Sequence, residues 1–451
     1  TYSIQTETDI EYGTATDFAG TERTLLMDVS VPTNDSPPTC GRPLMVIVHG
    51  GAWITGNKNE DAPPIIRRDF AERGYVTASV NYRLGQFNTN QFINCNIDLW
   101  NCYNMTDSSE WYRANYRGIQ DVNGAIRYLV AHADDYNIDP YNVFLVGESA
   151  GAFVALGVTY LDSPDEVLQN LVGEYPDAPP PNDLFEVDCI RKFNLAVDID
   201  SMDLDRPALG SYLGDLNPDA EEFKIRGVGS FYGGVFNNLF TNADTTSPIL
   251  YMYHQPCDLV VPYNRGRLLS GLQDCAMGFP TFCGFIINRP YAYGSVGIKT
   301  MIDQLAADGT PGPAYLLDNT TSTFNCAQQV LGSNMQCHAI DNFGLRTGNM
   351  AAFFATRVDI CTSLRERAET NFPFTLYPNP SPAGTEILAQ GDFQHGDRLR
   401  LFDLHGRLLQ EQLIDAPTQR VNMGLPPAAG TYLVRVERGG MAGVRELVVG
   451  R

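Results

Sequence analysis

A serine lies between glycines directly after an apolar run, and this arrangement is well suited to covalent catalysis. The run 142–146 leads into G-E-S-A-G at residues 147–151. A strand that ends in G-x-S-x-G and continues into a helix is the nucleophile-elbow pattern. Small residues at both ends let the strand and the helix approach each other, which leaves the Ser149 hydroxyl accessible. The pattern predicts a nucleophilic Ser149 if the chain also supplies a base, an acid and an oxyanion hole.

Acyl transfer by a serine needs a base within hydrogen-bond reach and an acid that orients the base. In the α/β-hydrolase arrangement these follow in the order serine, acid, histidine. Of the six histidines, only His338 follows a suitable acid and precedes the C-terminal segment. Asp258 comes just after the predicted strand 248–253, whereas the competing Asp341 is only three residues from His338 and not at a strand end. We predict a triad of Ser149, Asp258 and His338.

A second glycine-containing turn could hold the charge that develops on a carbonyl oxygen. The apolar run 44–48 leads into H-G-G-A-W at residues 49–53. Small residues let backbone N–H groups turn toward a bound carbonyl, and each such donor lowers the barrier by about 3 kcal/mol. Gly51 and Ala52 are the predicted donors, together with the amide of Ala150. The alternative is a strand-exit turn with no role in catalysis.

The elements that must position these residues alternate between strands and helices. Continuous apolar strands alternating with helical spacing indicate a mostly parallel sheet covered on both faces. We predict an α/β-hydrolase domain over residues 1–371. Its strands lie near 23–31, 44–48, 76–84, 143–146, 224–231, 248–253 and 314–317, and its helices near 116–133, after Ser149 and over 349–369. Three insertions, about 86–112, 162–222 and 264–290, are predicted to form cap or lid segments and substrate walls.

The composition changes at residues 371–373. Residues 374–451 contain eight Asp or Glu, eight Arg and no Lys, so the net charge of −22 lies in the preceding part of the chain. Short alternating strands separated by Gly and Pro predict a small all-β sandwich there. The segment has no cysteine and no acid–base cluster. We therefore expect catalysis to reside in the first domain.

Four motifs in order resemble carboxylesterases of the α/β-hydrolase fold. They are H-G-G-A-W, N-Y-R-L-G at 81–85, G-E-S-A-G, and C-D-L-V-V-P-Y at 257–263, and the resemblance covers about residues 20–370. It implies ester hydrolysis through an acyl-serine intermediate, without a metal or another cofactor. The chain differs from the H-G-G-G variant of the motif in having Ala52 in place of the third glycine. Its insertions are also rich in cysteine.

The C-terminal segment resembles the sorting domain of the type IX secretion system of Bacteroidota. Y-P-N-P at 377–380 is followed by F-D-L-H-G-R-L-L, G-T-Y-L-V-R-V and R-E-L-V-V-G-R. The resemblance implies export by that machinery, followed by release or anchoring at the cell surface. The alternative is a carbohydrate-binding or interaction sandwich, although few aromatic residues are placed to form a sugar platform.

Ten cysteines, all before residue 373, indicate an oxidising compartment with several disulfides. None forms a C-x-x-C pair suited to zinc. Close spacing favours two local bridges, Cys95–Cys102 and Cys275–Cys283. Cys257 and Cys337 directly precede Asp258 and His338, so a bridge between them is expected if the acid and the base meet. The alternative pairing is Cys326–Cys337.

Residues near the predicted elbow, oxyanion turn and first insertion are candidates for substrate contact. They are Trp53, Glu148, Trp100 and Trp111. The alternative for Trp100 and Trp111 is packing beneath a loop. Asp198, Asp200, Asp203 and Asp205 could hold a structural Ca²⁺, but the glycine and closing glutamate of an EF-hand loop are absent, which favours a solvated acidic face.

The bulk properties exclude several classes of function. A net charge of −22 disfavours nucleic acid as a partner, and no apolar run is long enough for a membrane span. No signal-peptide pattern opens the sequence, so we expect any such segment to have been removed. We predict a secreted or cell-surface serine carboxylesterase. Its substrate would be a small ester, a feruloylated or acetylated polysaccharide, or a polyester; the alternatives are a peptidase or amidase on the same fold and a non-catalytic, esterase-like binding protein.

Overall fold

The computed structural model divides the chain into two units, Thr1–Asp359 and Ile360–Arg451. The boundary predicted from composition, at residues 371–373, falls among residues that the structure does not describe. The described residues are 2–18, 20–35, 37–38, 40–85, 108–173, 207–269, 290–320, 337–358, 374–379, 381–382, 386–403, 408–424, 430–438 and 441–449.

The apolar runs of the first unit form an eight-stranded sheet. Its spatial order is β1-β2-β4-β3-β5-β6-β7-β10, and the pairs from β4 to β10 are parallel, whereas β1 and β2 are antiparallel. The strands are β1 Ser3–Thr16, β2 Glu22–Thr33, β3 Arg42–Val48, β4 Val76–Val80, β5 Ile138–Glu148, β6 Ile225–Phe231, β7 Ile249–His254 and β10 Tyr315–Asn319. A two-stranded ribbon of β8 Arg265–Arg267 and β9 Tyr291–Tyr293 follows β7. Because parallel strands run the same way, their carboxyl ends meet at one edge of the sheet, and this edge carries the candidate site.

The sheet is buried on both faces, as its continuous apolar strands predict. Successive residues of a strand point to opposite faces. In β3, Val46 belongs to one hydrophobic cluster, whereas Met45 and Ile47 belong to another. Each face therefore packs against its own layer of helices.

The helices cover the two faces unequally. Helices α2 and α4 contribute to the larger cluster, and α1 and α7 contribute to the smaller one. The described helices are α1 Pro63–Glu72, α2 Ser108–Ala131, α3 Ala133–Tyr136, α4 Ala150–Tyr160, α5 Gln169–Val172, α6 Ser295–Ala307 and α7 Phe343–Ala355. None of these described helices is long and apolar enough to cross a membrane.

Two helix boundaries differ from those predicted. Helix α2 begins at Ser108, inside the insertion predicted at about 86–112. The charged residues Glu110, Arg113 and Arg117 are buried in its first half. The sequence there therefore lacks the periodic spacing of apolar residues by which a helix is recognised. The closing helix begins at Phe343, six residues before the predicted start, and ends at Ala355.

The second unit consists of antiparallel strands. Three form the sheet β11-β12-β15 and four form the sheet β14-β13-β16-β17. The strands are β11 Phe374–Tyr377, β12 Leu388–Phe393, β13 Arg398–Asp403, β14 Leu408–Leu413, β15 Thr418–Asn422, β16 Gly430–Arg438 and β17 Met441–Val449. Both sheets contribute side chains to one buried cluster, including Phe393 and Val434. Two antiparallel sheets around one core form a β-sandwich architecture.

Candidate active site

Ser149 occupies a strained turn between β5 and α4. Its backbone has φ 51° and ψ −123°, a region that side-chain-bearing residues rarely adopt. A Cβ atom at Gly147 would lie 2.2 Å from the carbonyl oxygen of Gly151, and one at Gly151 would lie 2.3 Å from that of His49. Only glycine fits at both positions, so the sequence around Ser149 is required by the turn itself.

His338 connects Ser149 to Asp258. Its Nε2 lies 2.9 Å from Ser149 Oγ, and its Nδ1 lies 2.7 Å from Asp258 Oδ2. An ionised carboxylate only accepts hydrogen bonds, so Nδ1 carries the proton and the lone pair of Nε2 faces the serine hydroxyl. The structure thus brings together the three residues proposed as a triad, in an arrangement that can remove a proton from Ser149.

Asp258 is held ionised by its surroundings. Burial alone would raise the pKa of Asp258, but the charge interaction with His338 and hydrogen bonds from His254 and His338 outweigh burial and lower the pKa to about 2. The second oxygen, Oδ1, accepts the backbone N–H groups of Val260 and Val261 at 2.8 and 3.0 Å. Both oxygens are therefore occupied by donors, which fixes the orientation of the carboxylate.

His254 is a site residue that the sequence reasoning missed. Its ring is fully buried, and Nε2 lies 3.1 Å from Asp258 Oδ2, the oxygen that also contacts His338. On its other side, Nδ1 lies 3.4 Å from the Ser295 backbone nitrogen and 3.2 Å from its Oγ. Chain order excluded His254 as the base, but its position at the last residue of β7, four residues before Asp258, was a signal for contact with the acid.

The loop that carries His338 is anchored on two sides. A disulfide joins Cys257 to Cys337, so the neighbours of the acid and the base are covalently linked across 80 residues. Gln255 Nε2 donates to the carbonyl oxygen of Ala339 at 2.9 Å. The other cysteines proposed for bridges, Cys95, Cys102, Cys275 and Cys283, and the rival partner Cys326 lie outside the described residues.

Asp341, the competing acid, is engaged elsewhere. Its two oxygens accept from Nε and Nη2 of Arg346 at 2.8 and 2.9 Å. The Arg346 hydrogen bond lowers the pKa of Asp341 to about 2. Arg346 also pairs with Asp318 at the end of β10. This network ties the His338 loop to α7 and leaves Asp258 as the acid that contacts His338.

Glu148 and Tyr232 form a buried pair beside the histidine. Tyr232 Oη donates to Glu148 Oε2 at 2.6 Å, and the Tyr232 and His338 ring centroids are 4.6 Å apart. Burial raises the pKa of Glu148, whose side chain is 7% exposed. The structure places Glu148, a predicted candidate for substrate contact, in a hydrogen bond to the ring that packs beside His338.

The predicted oxyanion turn lies against the nucleophile. A Cβ atom at Gly50 would lie 3.2 Å from Ser149 Cβ. Gly51, Ala52 and Trp53 all have positive φ, at 107°, 53° and 59°. Consecutive N–H groups in such turns form concave sites for anions. Ala150 is the first residue of α4, and the first N–H groups of a helix have no partner within it.

The tryptophans that the structure describes are core residues. Trp53 and Trp111 are each 2% exposed, and their rings meet edge to face at 5.8 Å. Trp53 Nε1 donates to Asn115 Oδ1 at 3.2 Å. Both indoles, which the sequence predicts as candidates for substrate contact, are thus buried in the core, and Trp53 belongs to the predicted oxyanion turn. Trp100 lies outside the described residues.

No group of three or more His, Cys, Asp or Glu suited to a metal ion occurs among the described residues. The four aspartates considered for Ca²⁺, Asp198, Asp200, Asp203 and Asp205, lie in the segment 174–206, which the structure does not describe.

Two family models match overlapping parts of the first unit. Residues 3–172 match the carboxylesterase family, and residues 108–271 match a family described as BD-FAE. Together with the mostly parallel sheet and the serine elbow, these matches decide the fold class. The chain has an α/β-hydrolase fold. Both matches also support an esterase on this fold.

Curated relatives of this α/β-hydrolase align with it over short stretches. The "Probable isoprenylcysteine alpha-carbonyl methylesterase ICMEL1" of Oryza sativa subsp. japonica is 29% identical over 129 residues, 29% of this chain and 23% of that protein. The "Probable carboxylic ester hydrolase LipM" of Mycobacterium tuberculosis is 29% identical over 25% of this chain and 20% of that protein. The "Neuroligin-like protein glit-1" of Caenorhabditis elegans is 30% identical over 30% of this chain and 16% of that protein. The chain thus spans less than a quarter of the length of each of these relatives.

Two solved structures align with most of this chain at low sequence identity and low TM-score. A truncated form of a carbohydrate esterase from gut microbiota is 16% identical, with a TM-score of 0.41 over 79% of this chain and 97% of that chain. Apo esterase 2 of Thermogutta terrifontis is 12% identical, with a TM-score of 0.38 over 80% of this chain and 96% of that chain.

Proposed function

We propose that this protein is a serine carboxylesterase. The observation that carries the proposal is the continuous hydrogen-bond chain from Ser149 Oγ through His338 to Asp258 Oδ2. A strained serine at a strand-to-helix turn, a histidine with its lone pair toward the hydroxyl and an ionised acid behind it form the constellation that acyl transfer requires.

The proposed reaction uses each residue of this hydrogen-bond chain. As Ser149 Oγ attacks the ester carbonyl carbon, its proton passes to His338 Nε2, and Asp258 stabilises the resulting imidazolium. The carbonyl oxygen becomes an oxyanion that the N–H groups of Gly51, Ala52 and Ala150 hold. His338 then gives its proton to the leaving alcohol, which leaves an acyl-serine. Water, activated by His338, attacks the acyl group, and the carboxylic acid departs with regeneration of the serine hydroxyl.

The named relatives favour ester over amide hydrolysis. Two of them carry esterase or ester hydrolase in their names. A purely binding role, as an alternative, needs no assembled triad. The hydrogen-bonded Ser149, His338 and Asp258 therefore support catalysis.

The test is covalent labelling together with turnover. The full chain should react with a fluorophosphonate probe and hydrolyse p-nitrophenyl acetate, and Ser149→Ala should abolish both. Ser3→Ala, which changes an exposed serine at the start of β1, should change neither. A wild-type protein that is neither labelled nor active would favour the binding role. Turnover of a matched anilide as fast as the ester would favour a peptidase or amidase.

We also propose that the protein is exported and acts on an extracellular ester. The C-terminal motifs resemble a type IX sorting domain, and the Cys257–Cys337 bond is typical of proteins in oxidising compartments. Removing residues 374–451 should retain the protein inside a type IX-competent host, whereas the full chain should reach the medium or the cell surface. Equal export of both forms would contradict this proposal.

The substrate class is proposed from export and ester chemistry together. Feruloyl or acetyl esters of polysaccharide and polyesters are the candidates. A hydrolysis panel from acetate to ferulate and terephthalate esters, followed by the matching polymers, ranks them. Activity confined to small soluble esters would remove the polymer part of the proposal.

A further inference from the structure

A buried histidine bonds to the turn that carries the proposed oxyanion donors. His49 is the last residue before the glycines, its side chain is 2% exposed, and its Nδ1 lies 2.7 Å from the carbonyl oxygen of Gly50. A carbonyl oxygen cannot donate, so Nδ1 carries the hydrogen. Nε2 is buried without a hydrogen-bond partner among the described residues, which disfavours a second proton there. Burial accordingly lowers the pKa of His49 to about 4, although the bond to Gly50 opposes the shift. The imidazole is therefore neutral at ordinary pH.

We propose that His49 is a positioning residue that sets the orientation of the Gly50–Gly51 peptide and thereby forms the oxyanion hole. In a trans peptide the C=O of one residue and the N–H of the next point in opposite directions. When His49 Nδ1–H holds the Gly50 carbonyl on one side, the Gly51 N–H must point to the other side. The inference rests on the proposed esterase function, in which Gly51 is an oxyanion donor.

The two glycines make such a holding group necessary. A peptide between side-chain-bearing residues is restricted by Cβ clashes, but a peptide between Gly50 and Gly51 can rotate into either orientation with little steric cost. The following residues, Ala52 and Trp53, are already in the left-handed region, which costs about 1–2 kcal/mol for each residue. A turn under such strain needs a specific contact to keep one arrangement, and the His49 hydrogen bond supplies it.

The surroundings hold the imidazole in place. The rings of His49 and Tyr82 are stacked with centroids 4.4 Å apart and planes at 17°, and Tyr82 Oη donates to the His49 carbonyl oxygen at 3.1 Å. Gly56 leaves space for the bond. A Cβ atom there would lie 2.7 Å from the Gly50 carbonyl oxygen and 2.8 Å from His49 Nδ1. Tyr82 thus holds the imidazole, and Gly56 leaves room for its bond to the Gly50 carbonyl oxygen.

The first test separates the hydrogen bond from the packing of the ring. His49→Asn keeps a donor at the δ position, whereas His49→Leu places a methyl group there, and both lose the stacking on Tyr82. We expect kcat of the full chain to fall about 100-fold in His49→Leu, with KM within about 3-fold, because loss of one oxyanion donor has this effect. His49→Asn should remain within about 10-fold of wild type. The affinity of a trifluoromethyl ketone, which forms a tetrahedral oxyanion adduct on Ser149, should fall in parallel with kcat.

A second test disturbs the same bond without changing His49. Gly56→Ala places a methyl group against both bonded atoms, at a residue with φ 95°. Gly309→Ala is the matched control, since its φ is 89° and a Cβ atom there meets nothing within 4 Å. Both variants carry similar backbone strain. Only Gly56→Ala should lower kcat and the affinity of the ketone, by about 10-fold or more.

Crystal structures of the two His49 variants give a result that does not depend on turnover. The Gly50–Gly51 peptide should be rotated in His49→Leu and retained in His49→Asn. An unrotated peptide in His49→Leu, or equal losses of kcat in both variants, would overturn the proposal. Failure of the esterase proposal is a different result, namely wild-type protein that is neither active nor labelled.

Discussion

The two halves of the candidate site are held by different means. In the acid–base half, Asp258 and His338, four hydrogen bonds reach the Asp258 carboxylate, two from histidine rings and two from backbone N–H groups, and a disulfide joins the neighbouring residues. The oxyanion half, residues 49–56, depends more on backbone conformation, with consecutive positive φ angles at residues 51–53. Side-chain hydrogen bonds join it at the His49 carbonyl oxygen and at Trp53, but among the described residues only His49 Nδ1 bonds to the Gly50 carbonyl oxygen. Redundant contacts protect the Asp258 carboxylate against the loss of any one of them, whereas the Gly50–Gly51 peptide has one side-chain hydrogen bond among the described residues, from His49.

The largest effect is expected when the acid of the acid–base half is replaced. Asp258→Asn should lower kcat about 10⁴-fold, because the amide cannot stabilise the imidazolium and favours the wrong tautomer of His338. Asp341→Asn is the matched control, since Asp341 bonds to Arg346 and is only three residues from the base. It should retain activity within about 3-fold of wild type. Steady-state hydrolysis of p-nitrophenyl acetate measures both, and a larger loss in Asp341→Asn would reverse the assignment of the acid.

The three triad residues could be predicted from the sequence, whereas the residues that hold them in place could not. Ser149, Asp258 and His338 could be selected because chemistry restricts their types and chain order restricts their positions. The contact of His254 with Asp258 could not be derived, because whether the His254 ring turns toward the loop depends on the packing of Ser295 and α6. Tyr232 was also missed, because its approach to His338 depends on the relative positions of the ends of β5, β6 and β7.

The fold was predictable where apolar residues dominate and less so elsewhere. The runs 44–48 and 143–146 are buried strands, as their composition predicts. The first turns of α2 could not be recognised from the sequence. Glu110, Arg113 and Arg117 are buried there, so the buried face lacks the regular spacing of apolar residues that marks a helix. Strand β1 is mostly exposed at the sheet edge, so it lacks the continuous apolar pattern of the central strands.

Removing the disulfide of the acid–base half should lower the stability of the first unit. Cys257→Ser with Cys337→Ser should lower the free energy of unfolding of the first unit by about 3 kcal/mol, because the disulfide closes a long loop. Changing both residues avoids a stray thiol. The activity of the folded variant should fall less than that of Asp258→Asn, since the hydrogen bonds to Asp258 remain. Urea unfolding measures the first effect, and a change below about 0.5 kcal/mol would show that the bond adds no stability.

The two halves should contribute to stability over different ranges of pH. The pKa of His49 is about 4 in the fold and about 6.5 in the unfolded chain, so the unfolded state binds the additional proton and stability falls as the pH is lowered from about 6.5 to about 4. The loss from His49 is about 3 kcal/mol. The pKa of Asp258 is about 2 in the fold and about 4 when unfolded, so its contribution of about 2 kcal/mol is present above pH 4 and lost toward pH 2.

Comparing the stability of wild type with that of each single variant isolates the contribution of His49 and that of Asp258. The stability advantage of wild type over His49→Asn should shrink as the pH falls from about 6.5 to about 4, and its advantage over Asp258→Asn should shrink only below about 4. Urea unfolding at intervals of pH gives both curves. Parallel curves for the two variants would contradict the separate environments that the structure gives to the two residues.

The smallest effect is expected when one of the four hydrogen bonds to Asp258 is removed. His254→Leu removes one donor from Asp258 Oδ2, and a hydrogen bond to a charged group contributes about 1.5 kcal/mol at the lower end of its range, so kcat should fall about 10-fold. His254→Gln keeps a donor at the ε position and should remain closer to wild type. Because His338, Val260 and Val261 still donate to Asp258, we expect a smaller loss than in His49→Leu, where one peptide loses its side-chain support. If His254→Leu lowered kcat more than His49→Leu, the acid–base half would depend on single contacts as strongly as the oxyanion half does.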